Sequence, residues 1–143
     1  MISLKLDKEN QSIRELNPVI DVLEIKDDEV IQNCIDLFNS EIDWEGMFTL
    51  SDAKNRIAND EKMYVGYRNG RIFGHFWLKK INDNSYYIYN VFSKNTSYKR
   101  EYGATDMIYH VISNLDFISI LAHVDDWNTK SLNVFEKLGF QHM

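Results

Sequence analysis

The sequence predicts an α/β (α+β) domain, a mixed and mostly antiparallel central sheet of about six strands with helices on both faces. Three observations predict it. Two apolar runs flank Asn69-Gly70, the strongest short signal for a type I′ hairpin. Several segments carry apolar residues at helical spacing. Hairpins also come first along the chain and crossover units second, an order that requires both antiparallel and parallel pairing.

The elements follow in order. Residues 19–25 read as a short strand from their β-branched content. Asp27-Asp28 caps a helix over 28–39 whose apolar stripe contains Cys34. Thr49 and Asp52 have capping-box spacing and open a second helix reaching about Asn59. Met63–Tyr67 and Arg71–Leu78 form the hairpin around Asn69-Gly70, and Tyr86–Phe92 forms the next strand, with Tyr87 and Tyr89 on one face and Asn90 on the other. A helix starts near Gly103, with Ala104, Met107, Ile108, Val111, Ile112 and Leu115 on one stripe. Phe117–Val124 is apolar apart from His123, as for a strand covered on both faces. Asn128 and Thr129 start the last helix, Gly139 stops it, and Phe140 begins a short final strand.

The 143 residues fit one domain spanning 1–143, and with Pro18 the only proline no Pro/Gly-rich linker divides them. A net charge of −6, with no basic cluster denser than the pairs Lys99-Arg100 and Lys79-Lys80, argues against a nucleic-acid partner. It favours a cationic one. No stretch has the length of a membrane span, and Met1–Asp7 lacks a signal peptide's apolar run, so a cytoplasmic protein is expected. Cys34 has no cysteine to pair with and reads as a small buried hydrophobe. One Cys and four scattered His give no metal-ligand spacing.

Two motifs carry chemistry. Lys99-Arg100-Glu101-Tyr102-Gly103-Ala104-Thr105 is a basic loop entering a helix at a glycine. The first helical N–H groups lack intrahelical partners and the macrodipole makes that end partly positive, so the turn suits a pyrophosphate-sized anion. An ordinary basic loop is the alternative. The second motif, Asn128-x-x-Ser131-x-x-x-Phe135-Glu136-Lys137-Leu138-Gly139-Phe140, is by periodicity an amphipathic helix with a Gly cap.

Together these motifs resemble those of the GNAT superfamily of acyl-CoA N-acyltransferases. The C-terminal run is similar to the family's Asn, small residue, Tyr-Glu-Lys-x-Gly-Phe pattern. Arg100-x-x-Gly103-x-Thr105 is similar to its Gln/Arg-x-x-Gly-x-Gly/Ala loop. The resemblance implies transfer of an acetyl group from acetyl-CoA, as cosubstrate, to a primary amine by direct attack, without a metal. The acceptor is either a small molecule or a protein amine. Backbone groups of Val91, Phe92 and Ser93 are then expected to hold the pantetheine arm, and Lys99 to Thr105 the pyrophosphate. Asn128 and Ser131 flank the arm, Lys137 reaches towards the phosphates, and Phe135 lies beside the thioester.

Phe135 stands where many members carry a tyrosine that protonates the departing thiolate, and it has no proton to give. That departure motivates an alternative, a non-catalytic acyl-CoA-binding module or sensor. Thr105 departs too, standing where the family prefers Gly or Ala. His75, Tyr89 and His123 are the candidates for the base, a structural role being the competing reading for each histidine. Asp43-Trp44-Glu45 is expected in the acceptor pocket, where charge and cation–π contact suit an amine. Many relatives continue into a longer last strand. The sheet edge is therefore expected to be left open or completed by another subunit, as in a homodimer.

Overall fold

A computed structural model of the chain describes residues 1–42, 48–94 and 103–143. Its elements are β1 (Ile2–Asp7), β2 (Ile20–Ile25), α1 (Asp28–Glu41), α2 (Leu50–Ala58), β3 (Lys62–Arg68), β4 (Arg71–Asn82), β5 (Ser85–Ser93), α3 (Gly103–Ile112), β6 (Ser119–Val124), α4 (Thr129–Leu138) and β7 (Gln141–His142). One seven-stranded sheet runs β2-β3-β4-β5-β6-β1-β7. Every pairing is antiparallel except β5 with β6.

Local chemistry sets the boundaries. The Asp27 carboxylate accepts from the Val30 N–H at the start of α1, and Thr49 and Asp52 close a full capping box on α2. Asn69 and Gly70 both take positive φ, 50° and 77°, as a type I′ turn requires. Asn128 caps α4 by accepting from the Ser131 N–H at 3.2 Å. Gly139 ends it at φ 105°, where an added Cβ would lie 2.1 Å from the Asn10 carbonyl oxygen.

Alternation along β4 divides the core. Phe76 and Leu78 join the larger cluster under α3 and α4, with Ile88, Met107, Ile108, Ile120 and Phe135. Trp77 points the other way, into a cluster with Ile31, Cys34, Ile35, Phe48 and Met63 under α1 and α2. Burial there pushes the Cys34 thiol up to about 12, so it stays protonated.

Three expectations need correction. The first strand is not residues 19–25 but Ile2–Asp7: Leu4 and Leu6 are fully buried and alternate with exposed Lys5, and β1 pairs with β6 and β7. At that side the sheet ends on the two-residue β7, paired to β1. Second, β6 is not covered on both faces. Ile120, Ala122 and Val124 are buried, whereas His123 is exposed. Third, Asn90 does not simply alternate with Tyr89, because the strand bulges there, as described below. Among the described residues no helix is long and apolar enough to cross a membrane.

Candidate active site

The site is created by a parting of strands. β5 and β6 pair only at Ser85–Tyr87 with Ser119–Leu121, after which β5 runs on to Ser93 and β6 to Val124 without further pairing. From Ile88 onward the β6-facing edge of β5 therefore has no partner strand. Peptide groups on such an edge must find partners elsewhere.

A bulge at the same level turns β5 aside. His75 of β4 is opposite Phe92, but Trp77 is opposite Tyr89, so β5 carries one extra residue across that step. Asn90 absorbs it at φ 50°. Just beyond, Gly74 lets the strands approach closely: a Cβ there would lie 2.3 Å from the Phe92 carbonyl oxygen.

A cleft of about 320 Å³ opens beside this end of β5, lined by Val91, Phe92, Ser93, Ala104, Asn128, Lys130, Ser131, Val134 and Phe135, with Glu41 and Ile42 at one rim. Lys94 and Glu41 approach to 3.8 Å across that rim. A second lobe of about 230 Å³ shares Ser93, Ala104, Lys130 and Val134 and continues past Gly103 and Thr105 to Asn133 and Lys137. One lobe thus has an open strand edge and apolar walls. The other has the start of α3 and two lysines.

Phe135 is buried in the first lobe, edge-on to Phe140 with ring centroids 5.0 Å apart. The Thr105 hydroxyl is fully buried and has no hydrogen-bond partner among the described residues. Gly103 packs against Phe73 and Arg68, leaving no room for a Cβ on the core side.

The opposite face of the sheet carries an aromatic and polar cluster. The Arg56 guanidinium lies over the rings of Phe48, Trp77 and Tyr89 at 4.8, 4.9 and 5.2 Å. The Tyr89 hydroxyl donates to Glu61. Burial and that carboxylate hold the phenol well above its usual range. With its amide oxygen turned to the guanidinium, Asn90 accepts from both Arg56 terminal nitrogens at 3.0 and 3.1 Å. His75 is only 2% exposed, enclosed by Phe38, Phe48 and Phe92. Burial, helped by Arg56, lowers it to about 4, so it is neutral.

His123 has a different setting. It is exposed, its Nδ1 is 3.0 Å from the Ser3 hydroxyl, and its ring lies 5.4 Å from Tyr87. Tyr87 and Leu121 form the last pair between β5 and β6, and His123 lies two residues further along β6.

The structure therefore brings Val91, Phe92, Ser93, Gly103, Ala104, Thr105, Asn128, Ser131, Phe135 and Lys137 around one two-lobed cleft. His75, Tyr89 and His123 are not among its lining residues. Lys99, Arg100, Glu101 and Tyr102 lie outside the described residues, as do Asp43, Trp44 and Glu45. Sequence reasoning passed over Arg56, Gly74, Asn90 and Lys130. Two of them left a signal: an asparagine and a glycine inside strand patterns mark a bulge and a close approach. Arg56 left none, being one cation on a polar helix.

Comparison with known proteins places this geometry. The model of the acetyltransferase (GNAT) family matches residues 28–140. No curated protein matches the chain by sequence. Among solved structures, a GCN5-related N-acetyltransferase from Kribbella flavida aligns at 10% identity and a TM-score of 0.64, over 99% of this chain and 53% of that one. The chain thus spans about half the length of that relative. A protein from Salmonella typhimurium, solved with its cofactor acetyl-CoA, aligns at 11% identity and 0.64, over 86% and 80% of the two chains. Spermidine N-acetyltransferase from Vibrio cholerae, in complex with CoA and spermine, aligns at 19% and 0.62, over 86% and 81%. At these identities the likenesses establish the fold.

Proposed function

We propose, because this chain belongs to the acetyltransferase (GNAT) family, that it moves an acetyl group from acetyl-CoA to a primary amine. The observation that carries the reading is the end of β5–β6 pairing at Tyr87 and Leu121, beyond which Val91–Ser93 line a cleft with Ala104 at the start of α3 and Asn128 at the cap of α4. An amide-bearing pantetheine arm matches an open strand edge: the backbone of Val91, Phe92 and Ser93 offers the groups that β6 no longer takes. Asn128 and Ser131 line the same lobe, while Val134 and Phe135 supply its apolar wall. The second lobe suits the phosphates. Gly103–Thr105 forms a helix start, whose first N–H groups have no intrahelical partner, and Lys130 and Lys137 add charge.

Acetyl-CoA supplies an activated thioester and a leaving group that departs without a donated proton, a thiol pKa being near 8.5. The chain's task is to place the arm, to orient the amine and to take its proton. Of the three candidates for that proton, His75 is sealed among rings, and Tyr89 is already bound to Glu61. His123 is exposed, two residues past the last β5–β6 pair, with Ser3 on its Nδ1, and takes the proton through Nε2 by way of a water. The acceptor is a small-molecule amine or a protein amine. An acidic chain favours either one carrying positive charge.

Phe135 favours one second reading, an acyl-CoA-binding module without turnover. Thiol release from acetyl-CoA across a panel of polyamines, amino sugars and lysine peptides separates the two, with calorimetric binding as the control. Turnover with at least one amine is expected, and binding without any turnover selects the module. Phe135→Tyr is expected to raise kcat by about tenfold or more where leaving-group departure limits the rate. An unchanged rate shows that no acid is missing.

A further inference from the structure

We propose that Arg56 is a positioning residue for the cofactor cleft, holding the Asn90 bulge and through it the divergence of the β5 end from β6. The inference rests on the acyl-CoA reading of that cleft. Among the described residues three non-glycine ones have positive φ, namely Asp60, Asn69 and Asn90. Asp60 follows α2 and Asn69 sits in the hairpin turn, so Asn90 alone takes this conformation inside a strand. A strand with the full complement of pairs on both sides has no use for such a residue. Here the extra residue falls one step before Val91, where the unpaired edge begins to line the cleft.

What holds Asn90 in that state is a two-pronged contact. Its amide oxygen accepts from both terminal nitrogens of Arg56, at 3.0 and 3.1 Å. The guanidinium is itself fixed by the surrounding rings of Phe48, Trp77 and Tyr89. Glu61 anchors Tyr89 in turn. The planar fork matters: a lysine would keep the charge yet could neither stack flat on these rings nor present two parallel donors. Arg56 lies on the face of the sheet opposite the core that carries α3 and α4, and it is not among the residues lining the cleft. Its effect on the cofactor therefore has to pass through the backbone of β5.

The test uses Arg56→Lys, Asn90→Gly, Asn90→Asp and the Arg56→Lys/Asn90→Gly double variant, with two readouts. The first is amide hydrogen exchange of Val91–Ser93 in the free protein. The second is the calorimetric affinity for CoA. Arg56→Lys and Asn90→Gly are each expected to speed exchange at Val91–Ser93, leaving Ser85–Tyr87 unchanged, and to weaken CoA by about five- to tenfold. The double variant is expected to be no weaker than either single one, because both break the same contact. Asn90→Asp, which keeps the acceptor and the left-handed tolerance, is expected to retain wild-type behaviour. Unchanged exchange in Arg56→Lys, or additive losses in the double variant, would overturn the positioning role. Faster Val91–Ser93 exchange in the variants, together with no CoA binding by the wild type, would instead sink the acyl-CoA reading and leave the coupling between Arg56 and Asn90 standing.

Discussion

The two ends of β5 differ in how they are paired. At its start, Ser85–Tyr87 is paired on both sides, to β4 and to β6, and the Ser85 and Ser119 hydroxyls are 2.9 Å apart across the parallel pair. At its end, Val91–Ser93 is paired to β4 alone, one residue beyond a left-handed asparagine and opposite a glycine. The first end is ordinary sheet, satisfied by its neighbours. The second withholds backbone groups from the sheet and presents them to a cleft. On the proposed reading, ligand binding rests on incomplete pairing, and the supports of that end should matter more for binding than those of the other.

The largest effect is expected from Gly74→Ala. The new Cβ would meet the Phe92 carbonyl oxygen at 2.3 Å, and backbone cannot swing away as a side-chain tip can. Strands β4 and β5 must separate where β5 lines the cleft. A stability loss of about 1–3 kcal/mol is expected, with at least about tenfold weaker acetyl-CoA binding by calorimetry. Full affinity in this variant would break the link between the strand's end and the ligand.

A pH effect of intermediate size should come from His75, which is opposite Phe92. Its folded value is lowered to about 4 from an unfolded value near 6.5. The unfolded chain therefore binds the extra proton in that interval, and stability present above pH 6.5 is lost as pH falls towards 4. Fully expressed, the loss amounts to about 3 kcal/mol. Thermal melts between pH 4 and 7 should show this slope in the wild type and a flatter one in His75→Phe. Equal slopes would mean that His75 is not the group responsible.

The smallest effect is expected at the paired end. Ser85→Ala removes one hydroxyl contact and should cost about 1 kcal/mol of stability in a denaturant titration. CoA affinity should stay within about twofold, since a loss of that size is confined to a pairing the ligand does not use. A larger drop in affinity would erase the contrast between the two ends.

Much of this fold was legible from local signals. The Asn69-Gly70 turn, the Thr49–Asp52 box and the Gly139 stop each act within a few residues, so spacing alone reveals them. Strand β1 was also legible, in the alternation of Leu4 and Leu6 with Lys5, but six residues at a terminus were read only for targeting. The cleft's walls came from the C-terminal motif and the helix at Gly103. Its cause did not. The parting of β5 from β6 depends on which strands pair and where pairing ends, and on a helix residue, Arg56, reaching a strand residue 34 positions away. No local pattern encodes either fact.

The central claim is that the unpaired end of β5, with the start of α3, receives acetyl-CoA. The direct measurement is an amide chemical-shift titration of the labelled protein with acetyl-CoA. Large shifts are predicted for Val91, Phe92, Ser93 and Gly103–Thr105, with Ser85–Tyr87 nearly still. Saturable binding that leaves Val91–Ser93 unmoved, or no binding at millimolar ligand, would contradict the account.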